Sequence, residues 1–237
     1  MNKLLSSNKQ LQSRGFVEYG KEVIYKDLNK HKLIQLLSSN ISTDRTTAAR
    51  LIKGYIDNET VLVLCSALQK ETKLYTKIEI CNSLTHLGLI SIAPLTQLLG
   101  KIGDNQHKKV DLKPFKKNSY PLPRDIAART IIRFKSEAIP FVDKYIADYN
   151  SIATPEAIDV IGYVCFYNNN SYNHTKLINI INSNKDNDLI VWKTIRALSS
   201  FNDSLPFLKQ QLHCIKNRYI IEEIKRSIRL ITNRVVK

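Results

Sequence analysis

The chain has 237 residues, 43% of them hydrophobic and 24% charged, with a formal net charge of +15 and a pI near 9.6. That is enough apolar material for one large domain or a repeat array. With only 7 glycines and 7 prolines, turn residues are too scarce for a sandwich or barrel, and the composition points to helices. A charge of this sign favours acidic partners, and it equally suits a lysine-rich solvated surface.

The first 28 residues are irregular and are expected to cap the first repeat. The opening MNKLLSSNKQLQSRG lacks the sustained apolar core of a secretion signal. The longest apolar runs, such as 61–65, are far too short to span a bilayer. The expectation is a cytoplasmic protein without membrane insertion. Cys65, Cys81, Cys165 and Cys214 form no CxxC pair and sit in apolar helical stretches, which predicts core thiols rather than disulfides or a zinc site.

From residue 32 the chain repeats. Lys32-Leu33-Ile34-Gln35-Leu36-Leu37 matches Pro94-Leu95-Thr96-Gln97-Leu98-Leu99. Val63-Leu64-Cys65 and Lys176-Leu177-Ile178 open segments with related spacing, and Pro140-Phe141-Val142 and Pro206-Phe207-Leu208 keep a proline before an apolar face. The starts at 32, 63, 94, 140, 176 and 206 are separated by 31, 31, 46, 36 and 30 residues. A near-constant period with one long gap is what stacked helix pairs leave in a sequence.

A second helix is predicted after each start. One follows Ser42-Thr43-Asp44 as a cap and carries Ala48, Ala49, Leu51 and Ile52. A second runs through Ile80 and Leu84, and a third follows Pro123. Pro155 begins a fourth in the first-turn position that proline favours. Segments 189–198 and 220–231 complete the set, the last with Ile221, Ile224, Ile228 and Ile231 in one stripe.

The stretches Asp44-Arg45-Thr46-Thr47-Ala48-Ala49 and Arg124-Asp125-Ile126-Ala127-Ala128 resemble the second-helix start of HEAT repeats. The nearest likeness is to HEAT-like repeats of the phycobilisome-lyase type. Ile92-Ala93-Pro94-Leu95, Ala138-Ile139-Pro140-Phe141 and Ser204-Leu205-Pro206-Phe207 resemble the first-helix start. The resemblance covers about residues 30–233. It implies an all-α, right-handed α-solenoid of about six helix pairs in a single domain, 1–237, with the second helices lining its concave face. It says little about function, because the family holds scaffolds, adaptors and a few enzymes.

The long gap, GKIGDNQHKKVDLKPFKKNSYPLP, reads as a basic loop at 101–123 inserted within the third pair and lying outside the stack. Residues 101–135 hold ten lysines and arginines against three aspartates, and 209–237 hold eight against two glutamates. On the resemblance, Arg129 with Arg133, Lys193 with Arg196, and Arg226 with Arg229 form a basic concave stripe, joined by Lys116 and Lys117 of the loop. Arg50 with Lys53 repeats the spacing. Glu222, four residues before Arg226, is expected to pair with it along the helix.

No catalytic constellation emerges. His31, His86, His107, His174 and His213 share no metal-ligand spacing, and no His-Glu pair of the di-iron HEAT hydroxylases is present. No GxGxxG, GxxxxGK[ST] or GxSxG occurs, so no catalytic residue, cofactor or metal is assigned and a small-molecule ligand is not expected. Tyr163, Phe166 and Trp192 read as core, and the asparagine run after Tyr167 as the turn that ends a helix. The expected function is a non-enzymatic scaffold that binds a protein partner. The alternatives are nucleic-acid binding in a basic groove and, below that, a HEAT-like DNA glycosylase, which would need a carboxylate beside aromatic side chains.

Overall fold

The computed structural model describes residues 7–147, 151–168 and 172–235, whose regular elements are all helices with no strand among them. No helix among them is long and apolar enough to cross a membrane. The chain divides into two compact units, 1–98 and 99–237. The division falls at the end of the third predicted repeat start, where the periodicity is interrupted.

In the first unit α1 (Asn8–Ser13) precedes two helix pairs, α2 (Lys30–Leu36) with α3 (Ser42–Ile52) and α4 (Asn58–Lys70) with α5 (Leu74–His86). The short α6 (Ile92–Thr96) follows and packs on α4. The second helices α3 and α5 lie side by side. Ala48 and Ala49 are fully buried, and the absence of bulk there lets Ser83 Oγ of α5 donate to the Ala49 carbonyl at 2.6 Å.

α3 begins one to three residues earlier than its expected cap at 42–44 implies. Ser42 is already helical, and its hydroxyl donates to the Gln12 carbonyl instead. The N-terminal segment is held across α3 through Arg50, whose Nη2 donates to the Val17 carbonyl at 3.0 Å. The same guanidinium pairs with Glu22 and Glu79, each at 3.0 Å.

The second unit repeats this plan. α7 (Ile126–Ile131) is capped by Asp125, which accepts from the Ala128 amide at 2.8 Å. A 3-10 stretch containing Lys135 at φ 52 turns the chain into α8 (Ile139–Ala147). The pairs are α8 with α9 (Thr154–Tyr167), α10 (Thr175–Ser183) with α11 (Asp188–Leu198), and α12 (Leu205–Cys214) with α13 (Arg218–Val235). The second helices run in the row α7, α9, α11, α13, each packed on the next. Every residue of α11 from Ile190 to Leu198 is buried. Neighbouring helices and α10 cover most of that surface, and the remainder lies under the loop. Asn168 ends α9, while 169–171 of the asparagine run lie outside the described residues. Cys65, Cys81 and Cys165 are buried as expected, but Cys214 at the end of α12 is exposed.

Candidate functional site: the basic loop and the helix row beneath it

The expectation that 101–123 lies outside the stack is corrected by its packing. Ile102, Val110 and Tyr120 are buried, and each stretch of the loop meets a different second helix. At the start, Gln106 Nε2 donates to Asp125 Oδ2 at 2.8 Å and to the Ile102 carbonyl at 2.7 Å. Next, the His107 ring meets the edge of Trp192 on α11, with centroids 5.0 Å apart. Phe115 then lies under the Arg226 guanidinium of α13 at 5.0 Å. Arg226 also donates to the carbonyls of Lys117, at 3.3 Å, and Ser119, at 2.5 Å. Finally, Tyr120 enters a slot on α9. Its amide donates to the Tyr167 hydroxyl at 3.0 Å, that hydroxyl donates back to its carbonyl at 3.1 Å, and its ring packs on Tyr163 and Phe166.

The slot exists because α9 carries glycine at 162. A β-carbon there would overlap the Tyr120 hydroxyl and come within 2.6 Å of its Cζ. In sequence Tyr163 and Phe166 read as core side chains. They are packed, but around a loop tyrosine.

The basic stripe is also corrected. Lys193, Arg196 and Arg226 are brought together, but inside the protein and not on a solvent face. Lys193 is fully buried and pairs with Glu156 at 2.8 Å and Asp159 at 2.9 Å, both on α9. Arg196 stacks 3.9 Å over the Trp192 ring and pairs with Glu223 of α13 at 3.2 Å. Glu223 also takes Arg226 at 2.6 Å, which displaces the expected Glu222 pairing; Glu222 binds Lys225 at 3.1 Å. Lys193 and Arg196 therefore each meet a carboxylate on a neighbouring second helix, as Arg50 meets Glu79 in the first unit, while Arg226 meets Glu223 on its own helix. Arg129, Arg133, Arg229, Lys116 and Lys117 remain exposed. The Arg129 Nε donates to the Pro123 carbonyl at 3.0 Å, so it braces the end of the loop.

The enclosed charges shift one another. Burial pushes the Glu156 carboxyl up to about 7, against the pull of Lys193, which it shares with Asp159. Burial also raises the Asp125 carboxyl, although it accepts three hydrogen bonds. Lys193 loses hydration, yet Asp159 and Glu156 more than offset this and hold it protonated. His107 is brought down to about 4, first by burial and then by the nearby Lys193 cation, so the ring on Trp192 is neutral near pH 7. Tyr120 is pushed well above its usual value by burial. A neutral imidazole and aromatic rings are what a row holding balanced but buried charges can accept as a cover.

Sequence reasoning missed the acids Glu79, Glu156, Asp159 and Glu223. A readable signal was present: Glu156 and Asp159 stand three residues apart on one helix, the spacing that puts both on one face.

No family model matches the chain, and no curated protein matches it in sequence.

Proposed function

We propose that the protein is a non-enzymatic interaction protein of HEAT-type helical repeats that takes an acidic protein segment on the outward side of its basic loop and the adjoining edge of α13. The neighbour-to-neighbour rows of second helices, and the repeat starts spaced 30–36 residues apart except for one gap of 46, support the solenoid reading.

One observation carries the functional reading. Arg226 clamps the loop backbone at Lys117 and Ser119, while Lys113, Lys116, Lys117 and Arg229 are left exposed around it. The anchored loop presents those cations at low conformational cost, which favours affinity. A groove-bound duplex gains less from this arrangement, because Lys193, Arg196 and Arg226 are neutralised indoors. The glycosylase reading has buried acids in Glu156 and Asp159, but both rest on Lys193.

The test is a titration of fluorescent poly-glutamate peptide and of a labelled duplex at several salt concentrations. The expected result is salt-sensitive peptide binding that falls when Lys116, Lys117 and Arg229 become alanine. Tighter binding of the duplex, lost on replacing Arg129 and Arg133, would transfer the assignment to nucleic acid. In that case the log–log salt slope should lessen by up to about 2 for the two lost phosphate contacts.

A further inference from the structure

Where the loop runs beside α13 it leaves a cleft of about 310 Å³ with Trp192 in its lining, together with Phe115 and Tyr219. Three aromatic rings thus converge on one small space. The charges around it are not balanced in their pairing. Asp111 Oδ1 accepts from the Lys113 amide at 3.0 Å, and its other oxygen lies 3.9 Å from His107. Glu222 is taken by Lys225, and Glu223 by Arg196 and Arg226. Lys113, Lys116 and Arg229 make no salt bridge to an acid among the described residues. The lining therefore carries five cations against three carboxylates, net positive, with Lys113, Lys116 and Arg229 left without an acid and Asp111 facing only the neutral His107, and three aromatic rings stand among these charged side chains.

A volume of about 310 Å³ lies at the lower end of small-ligand sites, which fits a single head group and not a long ligand. Ring walls select a planar ring, while the unpaired lysines and arginine select a multiply charged anion. A phosphate monoester carries about −1.5 to −2 near neutral pH, against one charge for a carboxylate.

We propose that this cleft binds an aromatic ring bearing a phosphate, presented as a phosphorylated tyrosine within an acidic protein segment. The proposal rests on the reading of an acidic protein partner given above. A free nucleoside monophosphate shares the chemistry but adds a ribose to a small cleft and gains nothing from the exposed lysines beyond it. Phosphoserine supplies the charge without the ring.

Trp192 is the sole tryptophan, so its emission reports on the cleft. The full-length protein is titrated with an acidic synthetic peptide in three forms: phosphotyrosine, tyrosine and phosphoserine. Adenosine monophosphate and inorganic phosphate are titrated alongside. The phosphotyrosine peptide is expected to change Trp192 emission saturably and to bind about tenfold or more tightly than the other two peptides, as added charge-assisted hydrogen bonds and ring contacts require. Lys116→Ala with Arg229→Ala should remove that advantage and leave the far-ultraviolet spectrum unchanged, since both residues are exposed. Equal binding of all three peptides overturns the cleft assignment and leaves the acidic-partner reading standing. Tighter binding of adenosine monophosphate than of the phosphotyrosine peptide overturns the protein source of the ring. No binding of any peptide at low salt overturns the reading on which the proposal rests.

Discussion

Replacing Gly162 with alanine separates a loop seated in the helix row from one lying free of it. In the middle of an ordinary helix this change stabilises by about 1 kcal/mol, because glycine loses more backbone entropy on folding. Here the new methyl would overlap the Tyr120 hydroxyl, come within 2.6 Å of its Cζ and stand 2.9 Å from the Ala197 Cα. Neither neighbour yields cheaply. Ala197 is backbone of the buried α11, and Tyr120 is tied at both its amide and its carbonyl to the Tyr167 hydroxyl. Overpacking of this kind costs about 1–3 kcal/mol, enough to reverse the usual helical gain. Urea denaturation at constant m-value should therefore show Gly162→Ala to be destabilising. In a Tyr120→Ala background much of the cost should vanish, with a coupling of about 1 kcal/mol or more between the two sites. The residual belongs to Ala197. If Gly162→Ala stabilises the protein and the two changes simply add, Tyr120 does not occupy the slot.

Further expectations come from the enclosed charges and the backbone. Lys193→Ala leaves Glu156 and Asp159 facing each other without a cation, and should cost about 3–5 kcal/mol in a denaturation titration near pH 7. Glu156 is raised from 4.5 to about 7, so its protonated form favours the fold; that contribution is complete below pH 4.5 and is lost as pH rises through 7. The stability difference between Glu156→Gln and the parent should accordingly move in favour of the glutamine variant between pH 4.5 and 8, by up to about 3 kcal/mol. A difference that does not vary with pH would show that Glu156 is not the titrating group. Lys135 is exposed at φ 52, where a side chain is strained, so Lys135→Gly should raise the urea midpoint by an equivalent of about 1 kcal/mol.

The helix order was legible because periodicity needs only apolar spacing. Each repeat start from 32 to 206 coincides with a first helix, and prolines at 94, 140 and 206 lie in the first turns of α6, α8 and α12. The site was less legible because a cation on a helix face reads the same whether water or a carboxylate lies opposite. Arg226 illustrates the difficulty. Its i−4 neighbour Glu222 faces Lys225, and its partner is Glu223 at i−3, a choice made by Arg196 arriving from α11. The loop was misplaced for a related reason. Its lysines, glycines and prolines describe a solvated turn, whereas its contacts rest on scattered side chains, Ile102, Gln106, His107, Val110, Phe115 and Tyr120, which obey no period.

The basic loop is seated on the second-helix row with His107 against Trp192 and close to Lys193. A proton magnetic resonance titration of the five histidines, with His107 assigned by its loss in His107→Gln, tests this directly. Burial and the neighbouring cation predict that His107 titrates at about 4. A midpoint near 6.5, the value of a solvated imidazole, would place His107 in water and return the loop to solvent.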